Sequence, residues 1–191
     1  MEQAMDLFRR QGYHATPVPR LTALLGIGSG SLYAAFGSKD GLYARALERY
    51  CDGLVATLDR DMRAGDDLRT ALRGLLLAVV TAGAEDPERG CLLVGAVVER
   101  SGDDDTVERV RTAMTALEAV LTEALERARA RGELDGGRSP VEVARFLTTF
   151  LQGINVMGQA PAVPGTLRAA APAGRPRPVR LAVPPAGALP A

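Results

Sequence analysis

The chain has 191 residues, of which 47% are apolar and 24% are charged, and its formal net charge is zero. This composition is typical of one or two globular domains and excludes disorder of the whole chain. Its apolar runs are well short of the roughly 18 residues that a bilayer span needs. Its start, MEQAMDLFRR, lacks the pattern of a secretory signal. We therefore expect a cytoplasmic protein without a membrane partner.

Three short helices are predicted in the first fifty residues, because apolar positions recur at helical spacing and then stop at breakers. The first helix ends at Gly12. The second begins after Thr16 and Pro17, where we expect the Thr16 hydroxyl to cap the helix. The third covers residues 29–36. A three-residue turn at 26–28 joins the last two helices, which makes them a candidate helix-turn-helix.

Longer helices are predicted beyond this unit. We expect Ser38 to cap a helix that begins at Lys39 and carries one apolar stripe over about twenty residues. Further helices are predicted at about 68–84, 90–100, 103–131 and 139–158. No segment shows a convincing strand alternation, so the predicted fold class is all-α.

The helical pattern ends near residue 160. Residues 160–191 hold eight of the twelve prolines, four arginines and no acidic residue. A packed helix does not tolerate proline at this density, so we expect a disordered tail. The predicted organisation is a helix-turn-helix domain over residues 1–45, a helical domain over 46–159 and a proline-rich tail over 160–191.

Two segments, MDLFRRQGYHAT and LTALLGIGSGSLYAAFGSKDGLYARALERY, resemble the N-terminal DNA-binding domain of the TetR family of bacterial transcription regulators. The resemblance covers about fifty residues with the family's internal spacing. The residues that carry it are Leu7, Phe8, Gly12, Tyr13, Thr16, Gly30, Leu32, Tyr33, Phe36, Lys39 and Leu42. Residues 89–94, RGCLLV, resemble a Gly-Cys-Leu-Leu signature that is found in one branch of the family.

The resemblance implies that the third helix enters the major groove of a double-stranded DNA operator while the second helix crosses the backbone. Small residues on the third helix permit close approach, and serine hydroxyls can bond bases or phosphates. By the resemblance, Tyr33 and Lys39 reach phosphates. The DNA-contacting residues expected on these grounds are Thr16, Ser29, Gly30, Ser31, Tyr33 and Lys39.

The resemblance also implies a homodimeric, ligand-responsive regulator that acts as a repressor on a pseudo-palindromic operator. A helical ligand-binding and dimerisation domain would follow the helix-turn-helix. The expected walls of a pocket for a small-molecule effector of unknown identity are Leu76, Val80, Cys91, Leu93, Val97, Met114 and Phe150. The expected dimer interface consists of Phe146, Phe150, Leu151 and Ile154.

The residues leave alternatives open. Residues 1–50 hold only six basic against four acidic groups, so a helical small-molecule or redox-sensing module that has lost DNA binding is the rival hypothesis. An enzyme is disfavoured, because the chain has one histidine, two cysteines forty residues apart and no phosphate-binding loop. We therefore expect no catalytic residue, no metal site and no cofactor.

Overall fold

The computed structural model describes residues 1–65, 67–86, 88–134 and 137–158. All regular secondary structure within these ranges is helical, which confirms the all-α fold class. The helices are α1 (Glu2–Gln11), α2 (Val18–Leu25), α3 (Ser29–Phe36), α4 (Lys39–Ala64), α5 (Leu68–Glu85), α6 (Leu92–Arg100), α7 (Asp104–Ala130) and α8 (Pro140–Gly158). The tail predicted for 160–191 lies outside the described residues.

Short polar side chains begin three of the longer helices. Ser38 Oγ accepts a hydrogen bond from the Gly41 N–H at 3.0 Å, which confirms the predicted cap of α4. The carboxylates of Asp67 and Asp103 accept in the same way at the starts of α5 and α7. Each cap satisfies a backbone donor that the helix itself leaves without a partner.

The prediction that Thr16 caps α2 is wrong. The N-cap of α2 is Pro17, and no side chain bonds to the first turn. Thr16 is instead fully buried, and its hydroxyl donates to the Gly12 carbonyl at 2.6 Å. The hydroxyl thus satisfies a backbone carbonyl just after α1 in place of an N–H group in the first turn of α2.

The buried apolar side chains form two clusters. The first cluster contains side chains from the four helices α1, α2, α3 and α4, from α6, and from the first turns of α7. Phe8, Leu32 and Tyr43 are among its members. The second joins the last turns of α4 with α5, α7 and α8, and it includes Leu58 and Leu121. Both α4 and α7 contribute to both clusters, so these two helices connect the N-terminal unit to the rest of the chain.

Gly41 allows the turn between α3 and α4 to be tight. A Cβ placed on Gly41 would lie 2.0 Å from the backbone oxygen of Phe36, the last residue of α3. Gly53, in the same α4 helix, has nothing within 4 Å of the corresponding position. The two glycines lie in the same helix, but only Gly41 lacks space for a Cβ atom.

We predict that Gly41→Ala destabilises the protein by about 1–3 kcal/mol, because the methyl group meets backbone that cannot move without displacing α3. Gly53→Ala is the matched control and should stabilise by up to about 1 kcal/mol through helix propensity alone. Urea unfolding followed by circular dichroism at one protein concentration measures both changes. Equal effects of the two substitutions would contradict the assignment of Gly41 to a close backbone approach.

Candidate nucleic-acid interface

The helix α3 presents a surface of small polar residues. Ser29, Gly30 and Ser31 are exposed, and the Tyr33 side chain is 49% exposed. Leu32 lies between them in sequence but is fully buried in the first apolar cluster. The buried leucine holds the helix on the core, so the predicted contact residues of α3 are brought together on the outside.

The turn before α3 contains Gly26, whose backbone conformation favours glycine over other residues. Gly26 has φ 66° and ψ 30°, the left-handed conformation that side chains disfavour, and it ends α2. The N–H of Ile27 then donates to the carbonyl of Thr22 at 3.1 Å. The chain reverses in three residues, which sets α2 and α3 at the close crossing of a helix-turn-helix.

No side chain caps the start of α3. Its N-cap is Gly28, in extended conformation, and the N–H of Leu32 donates to the Gly28 carbonyl at 3.1 Å. The first N–H groups of a helix have no acceptor within the helix, and the helix dipole adds partial positive charge there. The small side chains of this turn leave that end of α3 accessible to an anion such as a phosphate.

Lys39 lies at the start of α4, immediately after α3. Its ammonium nitrogen is 4.0 Å from the centre of the Tyr13 ring, a cation–π contact. Burial lowers the pKa of Lys39 from its ordinary value, while the neighbouring Asp40 carboxylate opposes this change. The amine is thus held at the edge of the helix-turn-helix unit by an aromatic ring from the loop after α1.

Thr16, the remaining predicted DNA contact, does not belong to this surface. Its side chain is fully buried and its hydroxyl is bonded to the Gly12 carbonyl. A residue in this position supports the loop between α1 and α2 from within. We therefore remove Thr16 from the set of candidate DNA contacts.

Arg100, the last residue of α6, is a site residue that sequence reasoning missed. Its guanidinium carbon lies 4.0 Å from the centre of the Tyr13 ring, and its Nη1 lies 2.7 Å from an Asp40 oxygen. The same group pairs with Asp103 at 3.1 Å, and its side chain is only 11% exposed. No spacing in the sequence signals this cluster, because its members come from four separate segments.

The predicted pocket is realised only in part. A cavity of about 60 Å³ lies between the end of α5, the start of α6 and the end of α8, and Val80 and Cys91 line it. Tyr50 also lines the cavity and donates its hydroxyl to Cys91 Sγ at 3.5 Å. Burial raises the pKa of Tyr50 above its ordinary value, so the phenol stays a hydrogen-bond donor at neutral pH.

The other predicted pocket residues lie elsewhere. Leu93 is buried in the first cluster, and Met114 packs against the same cluster, whereas Leu76 packs against the second. Val97 and Phe150 line neither the 60 Å³ cavity nor a larger groove beside α1 and α4, and both side chains are about half exposed. The periodicity of an apolar helix does not indicate which of its faces turns outward.

A larger open groove of about 710 Å³ lies beside α1 and α4, and Arg9 and Tyr50 line both this groove and the 60 Å³ cavity. Its lining carries both signs of charge, with Glu2, Glu48 and Asp52 facing Arg45 and Arg49. The acidic and basic side chains offset one another there. This groove therefore has no strong preference for a ligand of one charge.

The predicted dimer residues divide into two groups. Phe146 and Phe150 are each 45% exposed, and their rings stack with centroids 5.9 Å apart. The prediction for Leu151 and Ile154 is wrong, because both are buried within the chain's own fold. Ile154 lines the 60 Å³ cavity and Leu151 belongs to the second cluster, so α5 and α7 already cover this face of α8.

Among the residues that the structure describes, no group of three or more histidine, cysteine or acidic side chains is arranged to hold a metal ion. None of the described helices is both long and apolar enough to cross a membrane.

Comparison with known proteins identifies the family. Residues 1–46 match the family model described as bacterial regulatory proteins, tetR family, and residues 69–173 match the tetracyclin repressor-like C-terminal domain. Together these matches span most of the chain, and the second alone covers more than half of it.

Individual relatives agree with the family matches. The HTH-type transcriptional repressor ComR of Escherichia coli is 27% identical over 159 residues, which are 82% of this chain and 76% of ComR. The uncharacterized HTH-type regulator YezE of Bacillus subtilis is 29% identical over 151 residues, 77% of each chain.

A solved structure extends the agreement to the fold. It contains a cysteine mutant of the TetR family regulator CifR with a 26-bp operator duplex, and the two chains superpose with a TM-score of 0.78 at 28% identity. The match covers 89% of this chain and 90% of the CifR chain. The chain therefore belongs to the TetR family of bacterial regulatory proteins, and it is a DNA-binding transcriptional regulator and not an enzyme.

Proposed function

We propose that the chain is an effector-responsive repressor that binds a pseudo-palindromic operator as a homodimer. The observation that carries the proposal is the outer surface of α3, where Ser29, Gly30, Ser31 and Tyr33 are exposed around the buried Leu32. ComR, a relative over most of the chain, bears the name of a repressor, and CifR has been seen on operator DNA. Two copies related by a two-fold axis would need half-sites about one helical turn apart.

The side chains of α3 define how operator DNA would be read. The Ser29 and Ser31 hydroxyls can donate to or accept from base edges, and Gly30 lets the backbone approach closely. Tyr33 and Lys39 would bond phosphates and so fix the register of the helix without reading sequence. The domain limits that we propose, 1–45 for DNA binding and 46–159 for regulation, place all five residues in the first domain.

The exposed apolar face of α8 supports the proposal of a homodimer. Phe146 and Phe150 lie one turn apart on this face, and the Val156 and Met157 side chains are each about half exposed further along the helix. A stripe of large apolar side chains on a helix surface favours burial against another helix. A second copy of α8 across a two-fold axis would cover the stripe with the same residues.

We further propose that the chain belongs to the branch of the family that carries the Gly-Cys-Leu-Leu signature, and that its effector acts at the start of α6. Cys91 is the N-cap residue of α6 and lines the 60 Å³ cavity with Tyr50 and Val80. A ligand or a thiol modification at this point would push directly on the first turn of α6. A redox-sensing role for Cys91 is the second candidate function, which the contact between Tyr50 and Cys91 Sγ supports.

The first test is operator binding. Fluorescence anisotropy should show binding to a duplex from the gene's own upstream intergenic region that is at least about tenfold tighter than binding to a scrambled duplex. Lys39→Gln should lower the slope of log affinity against log salt by about one for each subunit, because it removes a phosphate contact. Tyr33→Phe should weaken operator binding by a smaller factor than Tyr33→Ala, since only the hydroxyl is lost. A folded chain without any preference for the upstream duplex would refute the proposal that the protein is a repressor.

The second test concerns the dimer. Phe150→Glu should convert the dimer to monomer in sedimentation velocity at micromolar concentration, because a buried unpaired carboxylate is costly at an interface. Val98→Glu is the matched control, since Val98 is 73% exposed on α6 and lies away from the α8 stripe. A dimer that survives Phe150→Glu, or one that Val98→Glu disrupts, would contradict the proposed interface.

The third test concerns the thiols. Burial raises the pKa of the Cys51 thiol to about 12, so this group stays protonated and unreactive at pH 8, well below that pKa. A colorimetric disulfide reagent should therefore titrate about one fast thiol per chain at pH 8, and Cys91→Ser should abolish the fast phase. If modification of Cys91 leaves operator affinity unchanged, the redox-sensing candidate fails. A fast phase that remains in Cys91→Ser would contradict the burial of Cys51.

A further inference from the structure

The last turn of α6 contacts the N-terminal unit through a cluster of polar and aromatic groups, which we name the inter-domain anchor: Tyr13, His14, Asp40, Glu99 and Arg100. Glu99 Oε2 accepts the backbone N–H of His14 at 2.9 Å. The Glu99 backbone oxygen also lies 3.1 Å from His14 Nε2. The loop after α1 is thus attached to the end of α6 by backbone as well as side-chain contacts.

Arg100 is the centre of the anchor. Its guanidinium pairs with Asp40 from the first turn of α4 and with Asp103 from the cap of α7. Its plane also lies within cation–π range of the Tyr13 and Tyr43 rings, at 4.0 and 5.6 Å. A planar guanidinium can bind two carboxylates and contact rings at once, whereas an ammonium group cannot reproduce this geometry.

The anchor shares a side chain with the DNA-contacting surface. The Tyr13 ring that meets Arg100 also carries the Lys39 ammonium at 4.0 Å, and the Tyr13 hydroxyl donates to Asp40 at 2.7 Å. The carboxylate of Asp40 is therefore bound from both sides of the domain boundary. The Tyr13 hydrogen bond and the Arg100 charge hold the pKa of Asp40 below its ordinary value, so the ion pair persists at neutral pH.

The opposite end of α6 lies at the cavity. Cys91 caps the helix there, and Arg100 ends it nine residues later. A helix of nine residues is a rod about 13 Å long, so a shift at one end is transmitted to the other. Helix α6 therefore spans the distance from the cavity to the anchor, while Arg9 and Arg10 of α1 contact Gly90 and Asp86 of the cavity lining directly.

We propose that Arg100 is a positioning residue for operator recognition, which fixes the orientation of α3 relative to the regulatory helices by holding Tyr13 and Asp40 against the end of α6. This inference rests on the proposed function, since it concerns a dimer that must place two α3 helices at a set spacing. A rigid orientation spares the entropy that a mobile domain would lose on the operator. Binding to random DNA through phosphates alone does not require that orientation.

The experiment compares operator and scrambled duplexes for full-length Arg100→Gln and Arg100→Lys. Both variants should lose about tenfold in operator affinity, within the usual range of coupling between sites. Affinity for the scrambled duplex and its salt slope should stay within twofold of the wild type, because Tyr33 and Lys39 are intact. Arg100→Lys keeps the charge, so it separates the loss of the guanidinium geometry from a loss of charge.

Arg109→Gln is the matched control. Arg109 lies on α7, pairs with Asp105 at 2.9 Å and with Glu48 of α4 at 3.5 Å, and contributes the same charge outside the anchor. We expect this variant to bind the operator like the wild type. A double-mutant cycle with Asp40→Asn adds a direct measure, since Arg100→Gln should cost less operator affinity once Asp40 is neutral than it does in the wild type.

The outcomes distinguish the inference from the function on which it rests. Arg100→Lys and Arg100→Gln with wild-type operator preference would overturn the role of Arg100. A parallel loss on both duplexes, or an equal loss in Arg109→Gln, would also overturn it, because the effect would then be general. A wild-type chain without operator preference would refute the repressor itself and the inference with it.

Discussion

The guanidinium of Arg100 lies where three parts of the fold meet, and it contacts a side chain from each of them. Asp40 begins α4, Asp103 caps α7, and Tyr13 belongs to the loop after α1. A charge that is 11% exposed is costly unless carboxylates and rings surround it, and here both are present. The same contacts that satisfy the buried charge therefore hold the N-terminal unit against the regulatory helices.

The two parts are also joined by ion pairs between α1 and the segment before α6, Arg10 with Asp86 and Asp6 with Arg89, and by apolar packing along α4. The helix α4 runs for 26 residues from the end of α3 through both hydrophobic clusters, with Tyr43 in the first and Leu58 in the second. A continuous helix bends little, so tilting its C-terminal half against α5 and α7 would move its N-terminal half together with α3. The anchor at α6 and the shared helix α4 thus constrain the same orientation by two independent means.

The surface of α3 that we propose contacts DNA carries small groups more than charge. Gly28, Ser29 and Gly30 leave the start of α3 open, and Lys39 lies beyond its other end, at the first residue of α4. Such a surface approaches DNA closely but gains little from long-range attraction, in agreement with the zero net charge of the chain. Its affinity would consequently depend on two copies binding together and on how well their orientation is fixed.

Much of the fold and part of the candidate site could be predicted from the sequence. Apolar periodicity and breakers such as Gly12 and Gly37 determine where the helices lie, because these are local properties of the chain. The family resemblance that Leu32, Tyr33 and Lys39 help to carry likewise implied a recognition helix and its flank. Residue type and spacing are enough to predict a structural feature wherever contacts within one or two helical turns stabilise it.

Only the tertiary structure decided which faces are buried and which distant residues meet. Helix α8 is apolar on both sides, so periodicity assigned Leu151 and Ile154 to the same surface as Phe146, whereas packing against α5 and α7 buries them. The inward turn of Thr16 depends on a carbonyl four residues earlier and on the core around it. Arg100 lies sixty positions after Asp40 and still further after Tyr13, so local sequence does not encode these contacts, which form only once the helices pack.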